Sequence, residues 1–166
     1  MKSFLLPSLM LGLLLLLLGG CSLFSASEDD EARIIFGVSI DNVEIGDHAT
    51  AVRGKLGEPD EIVLGDFAGK IFSYTQGKYN GIQMMIHDDD EKGVLFVSID
   101  PPYSGTTREG IGIGTSRSEV LEKFGQPASS EKAAQSIGDT YFFDDVAFVI
   151  GYRDQAINTI MLRSRL

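Results

Sequence analysis

Cys21 is the only thiol among 166 residues. A lone cysteine cannot close an intrachain disulfide or supply a pair of ligands to zinc. The two histidines, His48 and His87, stand in different parts of the chain, and no His-x₃-His or cysteine pair completes a metal set. His48 falls in the first turn of a short helix and reads as a surface or capping residue. His87 ends a strand before the acid run Asp88-Asp89-Asp90-Glu91. Adjacent carboxylates attract Ca²⁺, a hard cation bound by oxygen. Read as an EF-hand loop from Asp88, however, the run places Lys92 at a ligand position and Ile99 where the bidentate glutamate belongs. It therefore reads as a solvated hairpin turn whose charges keep strand edges apart. Gly110-Ile111-Gly112-Ile113-Gly114 lacks the long helix of a dinucleotide-binding βαβ unit, and there is no Gly-x-Ser-x-Gly elbow. No catalytic residue, metal or cofactor is expected.

The setting of Cys21 is more informative. Lys2 supplies a positive n-region, Phe4 to Leu18 an apolar h-region, and Gly19-Gly20 the small residues a signal peptidase requires. With the cysteine directly after them, the segment resembles the lipobox of bacterial lipoproteins. The resemblance implies that residues 1–20 are removed as a signal peptide and that Cys21 becomes a lipidated N-terminus carrying palmitate-type acyl chains. The alternative is an uncleaved anchor helix, but the apolar stretch falls short of the roughly 20 residues that span a bilayer, and Pro7 interrupts it. Two or more acyl chains hold a protein firmly where one does not. Ser22 follows, where an aspartate would resemble an inner-membrane retention signal. The expected address is the outer membrane in a Gram-negative host, or the outer face of the cell membrane in a Gram-positive one.

The formal net charge is −10, and removing residues 1–20 takes away one lysine and no acid. Such a chain repels nucleic acid and anionic lipid surfaces, so no nucleic-acid partner is expected. Residues 21–33 read as a lipidated cysteine and an acidic flexible tether, too poor in apolar residues to fold.

An internal repeat organises the rest. Ile45-Gly46 through Gly57-Glu58-Pro59 matches Ile113-Gly114 through Gly125-Gln126-Pro127 at a constant offset and without a gap. Each copy reads as a short helix, with Asp47 or Thr115 as N-cap, Val52 and Leu56 or Val120 and Phe124 on one face, and Gly57 or Gly125 as a left-handed stop before the proline. Predicted strands follow at 71–74, 82–86 and 94–99, then at 140–143, 146–150 and 156–162. Val38-Ser39-Ile40-Asp41 recurs as Val97-Ser98-Ile99-Asp100, which suggests that a strand before each helix also belongs to the repeat. The expected domains are a first α+β repeat at 34–100 and a second at 101–166, each a short helix packed on an antiparallel meander, with the sheets separate or continuous. Ile82, Met84, Ile86, Phe96, Val146, Phe148, Ile150 and Ile160 are expected to line the core with the helix residues.

Ile-Gly, short helix, Gly-x-Pro and an aromatic-rich meander together resemble the β-lactamase-inhibitor-protein-like superfamily, which includes the single-copy SmpA/OmlA outer-membrane assembly lipoproteins. The resemblance implies an α+β fold and a protein partner. No inhibitory site residues carry over, and this chain lacks the cysteine pair of the tandem inhibitors. Expected partner contacts lie at turns: Lys78 and Tyr79, Tyr103, and Asp144 with Asp145. Tyrosine at a loop tip buries ring area while its hydroxyl stays bonded. The two hairpin tips are expected to share one edge of a concave face. The leading functional expectation is a membrane-anchored, non-catalytic module that binds another envelope or secreted protein, by analogy in envelope assembly. The alternatives are an inhibitor or regulator of a secreted or wall enzyme, and an enzyme or small-ligand receptor.

Overall fold

The computed structural model describes residues 32–65, 69–89 and 91–165. Cys21, the signal segment and most of the tether lie outside them. The described residues form one compact unit.

A short ladder opens the described chain: Ile34–Ile35 (β1) pairs antiparallel with Ser39–Ile40 (β2). The first helix, α1, spans Ala49–Leu56 and is followed by Glu61–Gly65 (β3), Gly69–Tyr74 (β4), Ile82–His87 (β5) and Val94–Ile99 (β6). The second, α2, spans Arg117–Phe124 and is followed by Ser129–Ala133 (β7), Ser136–Phe143 (β8), Val146–Arg153 (β9) and Ala156–Ser164 (β10). The last eight strands make a single sheet in the order β3-β4-β5-β6-β10-β9-β8-β7, with neighbours antiparallel.

The fold is therefore α+β with one continuous sheet. Each helix precedes four strands rather than the three expected, because the edge strands β3 and β7 were not foreseen. Ser39–Ile40 does not behave as the counterpart of Ser98–Ile99. The former pairs with β1 in the small ladder, whereas Ile99 sits at the centre of the large sheet between Ile82 and Ile160.

Period-two alternation decides what is buried. One lateral row runs Tyr74, Ile82, Ile99, Ile160, Ile150, Asp139 across six strands. These residues and those two places along, such as Phe72, Met84, Val97, Leu162, Phe148 and Tyr141, face the helices. All but Asp139 join Val52, Leu56 and Val120, together with Ile34, Ile40, Val43, Tyr103 and Ile111, in one core cluster. Phe124 is only partly buried, packed on that cluster. Phe96 departs from expectation. It alternates with the buried Val97 and Ile99, which pairs it with Met85 on the opposite face, half-buried, and a bulge at Leu95 separates it from Val94. Val94 recovers the buried phase.

Phe36, in the turn between β1 and β2, anchors the ladder to the second half. Its ring stacks on Phe124 with centroids 3.8 Å apart and meets Tyr141, Phe143 and Phe148 edge-on. Gly37 follows at φ +75, where a Cβ would collide with the Phe143 ring.

The helix ends show both the strength and the limit of the sequence pattern. Gly57 and Gly125 do stop the helices, at φ 84, ψ −171 and φ 76, ψ −164. This is the extended positive-φ region essentially restricted to glycine, not the left-handed helical cap expected. The N-caps are His48 and Ser116, each one residue later than expected. Asp47 instead accepts from the Glu44 amide and the Lys55 ammonium, and Thr115 Oγ1 accepts from the Gly112 amide.

Ser116 forms a reciprocal capping box with Glu119. The hydroxyl and amide of Ser116 hold the Glu119 carboxyl below its ordinary pKa, so this contribution is complete at neutral pH and is lost as pH falls through the lowered value. His48 provides no side-chain cap. Accordingly, Ser116→Ala should destabilise by about 1 kcal/mol, and His48→Ser should stabilise by roughly 0.5–1 kcal/mol, both read from urea midpoints at constant slope.

Candidate functional site

The hairpin residues do not converge. β6 and β10 meet antiparallel at the middle of the sheet, so equivalent connections in the two halves leave from opposite ends of the strands. Lys78 and Tyr79 lie in a 3-10 turn, Gly77–Tyr79, beyond the row of Tyr74 and Ile82. Asp144 and Asp145 lie beyond Phe143 and Val146 at the other end. A shared concave edge built from both tips is not what the fold makes.

The individual residues are held as follows. Lys78 is exposed, and its carbonyl accepts from Arg33 Nη2 at 2.8 Å. Tyr79 is half-buried against the core, edge-on to Tyr74. Asp144 and Asp145 are exposed, with carbonyls that accept from the side chain and amide of Arg165. Tyr103 is not a loop-tip contact residue. It is 3% exposed, and its hydroxyl donates to Asp41 Oδ2 at 2.6 Å.

Tyr103 belongs to a polar knot that fastens the β1–β2 ladder. Arg33 donates through Nε and Nη2 to the two carboxylate oxygens of Asp41, at 2.7 and 3.0 Å, and its guanidinium lies 4.7 Å from the Tyr103 ring centroid. Burial, then the bond to Asp41 and its charge, push the Tyr103 pKa far up, so the hydroxyl stays a donor.

A second knot ties α2 to the sheet. Arg117 donates bidentately to Asp139 at 2.8 and 3.1 Å, and Ser130 Oγ donates to the same carboxylate. The hydrogen bond to Asp139 raises the already high Arg117 pKa. Asp139 is completely buried. Beside it lies the buried Tyr152 hydroxyl, whose pKa is pushed up by burial and by the charge of Asp139.

Tyr74, pushed up to about 12 by burial, donates to the Gly57 carbonyl, and Tyr141 donates to the Gly125 carbonyl. All of these groups sit on the helix side and hold elements together. In the acid run, the Asp89 amide donates to His87 Nδ1 and the Glu91 amide to Asp89, a closed turn between β5 and β6. Among the described residues no three His, Cys, Asp or Glu side chains converge as a metal site; Asp90 lies outside them.

The other face of the sheet is different. Its residues alternate with the core row and contribute nothing to the core cluster. Val63, Ile71, Met85 and Phe96 form one lateral row across β3 to β6, and Phe96 leads to Arg163 on β10. Gln83, Ser98, Met161, Val149 and Thr140 form the next, across β5 to β8. Val63 is exposed, and Ile71, Met85, Phe96, Met161 and Val149 are half-buried. This face mixes apolar and small polar groups, and among the described residues its two rows carry one ionisable side chain, Arg163. Sequence reasoning assigned Phe96 to the core and did not single out the other positions, although the complementary phase of each alternating strand marks them.

No protein-family model and no curated protein matches the sequence. Solved structures do resemble the fold. A DUF4309 family protein, YjgB, from Bacillus subtilis is 17% identical with a TM-score of 0.53, covering 76% of this chain and 82% of its own. An extracellular protein containing a SCP domain from Bacillus anthracis is 15% identical with a TM-score of 0.54; the match covers 81% of this chain but spans only 48% of that protein. A candidate β-lactamase inhibitor protein from Streptococcus mutans aligns over 76% of this chain and 88% of its own at 13% identity, with a TM-score of only 0.30. At these identities the likeness is one of fold: this chain shares the α+β architecture of bacterial proteins, one of which is extracellular.

Proposed function

We propose that this chain is a non-catalytic protein-binding module of the bacterial cell envelope, anchored through lipid on Cys21 and recognising its partner with the open face of the sheet. The observation that carries the reading is the segregation of the two faces. The groups with shifted pKa values belong to packing knots on the helix side, while Met85, Phe96, Met161 and Val149 line a face that the core cluster does not use. The fold's likeness to an extracellular bacilli protein accords with an address outside the cytoplasm, and the lipobox-like segment supplies the anchor.

We read the halves as copies of one αββββ unit. Three features support this: the constant offset of the repeat, the paired glycine stops at Gly57 and Gly125, and the matched bonds from Tyr74 and Tyr141 to those glycines.

The test is cross-linking of the full-length chain in intact cells, followed by affinity capture, with Phe96→Glu as the variant. Phe96 is outside the core, so the melting temperature should hold while capture of one dominant envelope partner is lost. Tyr79→Ala, at the hairpin tip, should leave capture intact. Equal capture by Phe96→Glu and the parent would remove the open face from consideration. Failure to capture any partner, where a known lipoprotein complex is recovered, would remove the binding-module reading itself.

A further inference from the structure

Across the six inner strands, β4 to β6 and β8 to β10, no open-face position carries an aspartate or glutamate. The acids of that face stand on the edge strands, Glu61 on β3 and Glu131 on β7. A chain with 24 acidic and 14 basic residues thus keeps the middle of one face free of acids. Arg163 is exposed there, on the interior strand β10. Arg33, Arg53 and Arg117 each have a carboxylate partner, and Arg165 donates to the Asp144 carbonyl and lies over the Phe142 ring. Arg108 and Arg153 stand in a loop and at a strand end. Arg163 stands inside a strand, and among the described residues its side chain makes no ion pair, hydrogen bond or ring contact.

The lateral row through it runs Phe96, Arg163, Ala147, Phe142. Phe142 is 47% exposed, Phe96 is half-buried, and Ala147 is fully buried. Three strand intervals put the two phenylalanine backbones about 14 Å apart, with the strand of Arg163 between them. A partner that covers both rings therefore covers the guanidinium as well. Taking that group out of water without a counter-charge is costly, and the middle of this face holds no carboxylate to supply one.

We infer, on the reading that the open face is the binding surface, that its occupant is a protein segment with a single carboxylate. That carboxylate pairs with Arg163, while apolar side chains on either side of it meet Phe96 and Phe142. The fork of a guanidinium matches a carboxylate in two parallel bonds. Arginine, phenylalanine and methionine are also enriched where proteins meet. The surroundings limit the charge of the partner to that one group. Asp88, Asp89 and Glu91 lie in the turn after β5, and Asp144 and Asp145 in the turn between β8 and β9, both at the end of the sheet nearest Arg163. With a net charge of −10 behind them, these turns repel a repeating polyanion such as a phosphate polymer.

The experiment uses the full-length chain in envelope membranes of its host, with Arg163→Lys. This variant keeps the positive charge and adds an amine that a water-soluble carbodiimide joins to an adjacent carboxylate, a coupling that arginine does not undergo. A carbodiimide-dependent adduct with an envelope protein should form, above the background of the parent and of Ser129→Lys on the β7 edge. Mass spectrometry should place the new amide bond on an aspartate or glutamate flanked by apolar residues. Arg163→Glu should lower capture of that protein by about tenfold or more. Its melting temperature should hold, since the side chain it replaces bonds to nothing within the described domain. Capture by Arg163→Glu equal to the parent, where Phe96→Glu loses the partner, overturns the inference and leaves the open face standing. Equal capture by both variants overturns the open face as well. An adduct no stronger than that of Ser129→Lys, or one with a second copy of this chain, also overturns the inference. So does captured material that contains phosphate but no second protein.

Discussion

Replacing Arg117 by alanine is expected to destabilise the domain by about 3–5 kcal/mol, the range for removing one partner of a buried ion pair. The size follows from which charge is left behind. Asp139 is completely buried on the core side of β8, whereas the Arg117 side chain keeps 24% of its surface. Without the guanidinium, the buried carboxylate loses its two charge-assisted bonds and keeps the Ser130 hydroxyl. Asp139→Ala should cost less, because the arginine it leaves can turn outward to solvent. Arg117→Lys should recover little, since an ammonium cannot reproduce the two parallel bonds. The double substitution Arg117→Met with Asp139→Leu should be more stable than Arg117→Ala alone, because it removes both desolvation penalties together. Urea unfolding of the four variants tests the set. A parent-like midpoint for Arg117→Ala would mean that another donor or water reaches Asp139.

Phe36→Ala is expected to cost about 3 kcal/mol, the lower end for an aromatic truncated in a core, because the ring is partly buried. The more specific expectation concerns where the damage appears. Phe36 stacks on the α2 residue Phe124 and touches Tyr141 and Phe148 on β8 and β9, so its loss should loosen elements more than eighty residues away in sequence. Hydrogen exchange should show faster exchange at the α2 amides and in the β1–β2 ladder, with β4 and β5 protected as in the parent. Uniform acceleration across the sheet would indicate instead that the ladder stabilises the whole domain cooperatively.

These two residues also mark what the sequence withheld. Both helices, the glycine stops and the six inner strands were legible, because the helices place apolar residues four apart before a glycine and the strands carry apolar runs or period-two alternation between turn signals. β7 was not, since an edge strand exposed on both faces needs no apolar residue and Ser129–Ala133 supplies none of bulk. β3 failed for the opposite reason: Ile62-Val63-Leu64 is a consecutive apolar run with no alternation to give it a phase. The Arg117–Asp139 pair spans 22 positions, and no local pattern joins them. One clue existed. Asp139 stands in phase with Ile137, Tyr141 and Phe143, so a strand begun at Ser136 puts a carboxylate at a core position and demands a cation. Beginning that strand at Thr140 hides the demand. Tyr103 misled because a Pro-Pro-Tyr loop looks solvent-facing, yet its ring packs against Gly105 and its hydroxyl completes the Arg33–Asp41 knot. The open face was legible in principle as the off-phase residues of β5, β6, β9 and β10; only the bulge after Met85 was not.

β10 lies between β6 and β9, in the interior of the sheet, although it is the final strand in the chain. Until residues 156–164 have left the ribosome or a translocation channel, β6 presents a bare edge of Val94 to Ile99 and neither half can complete its pairing. Native contacts therefore join distant parts of the sequence, the arrangement that slows folding. It also makes the last strand a point of vulnerability: a premature stop before Ala156 would remove the centre of the sheet and leave two half-sheets with no common seam.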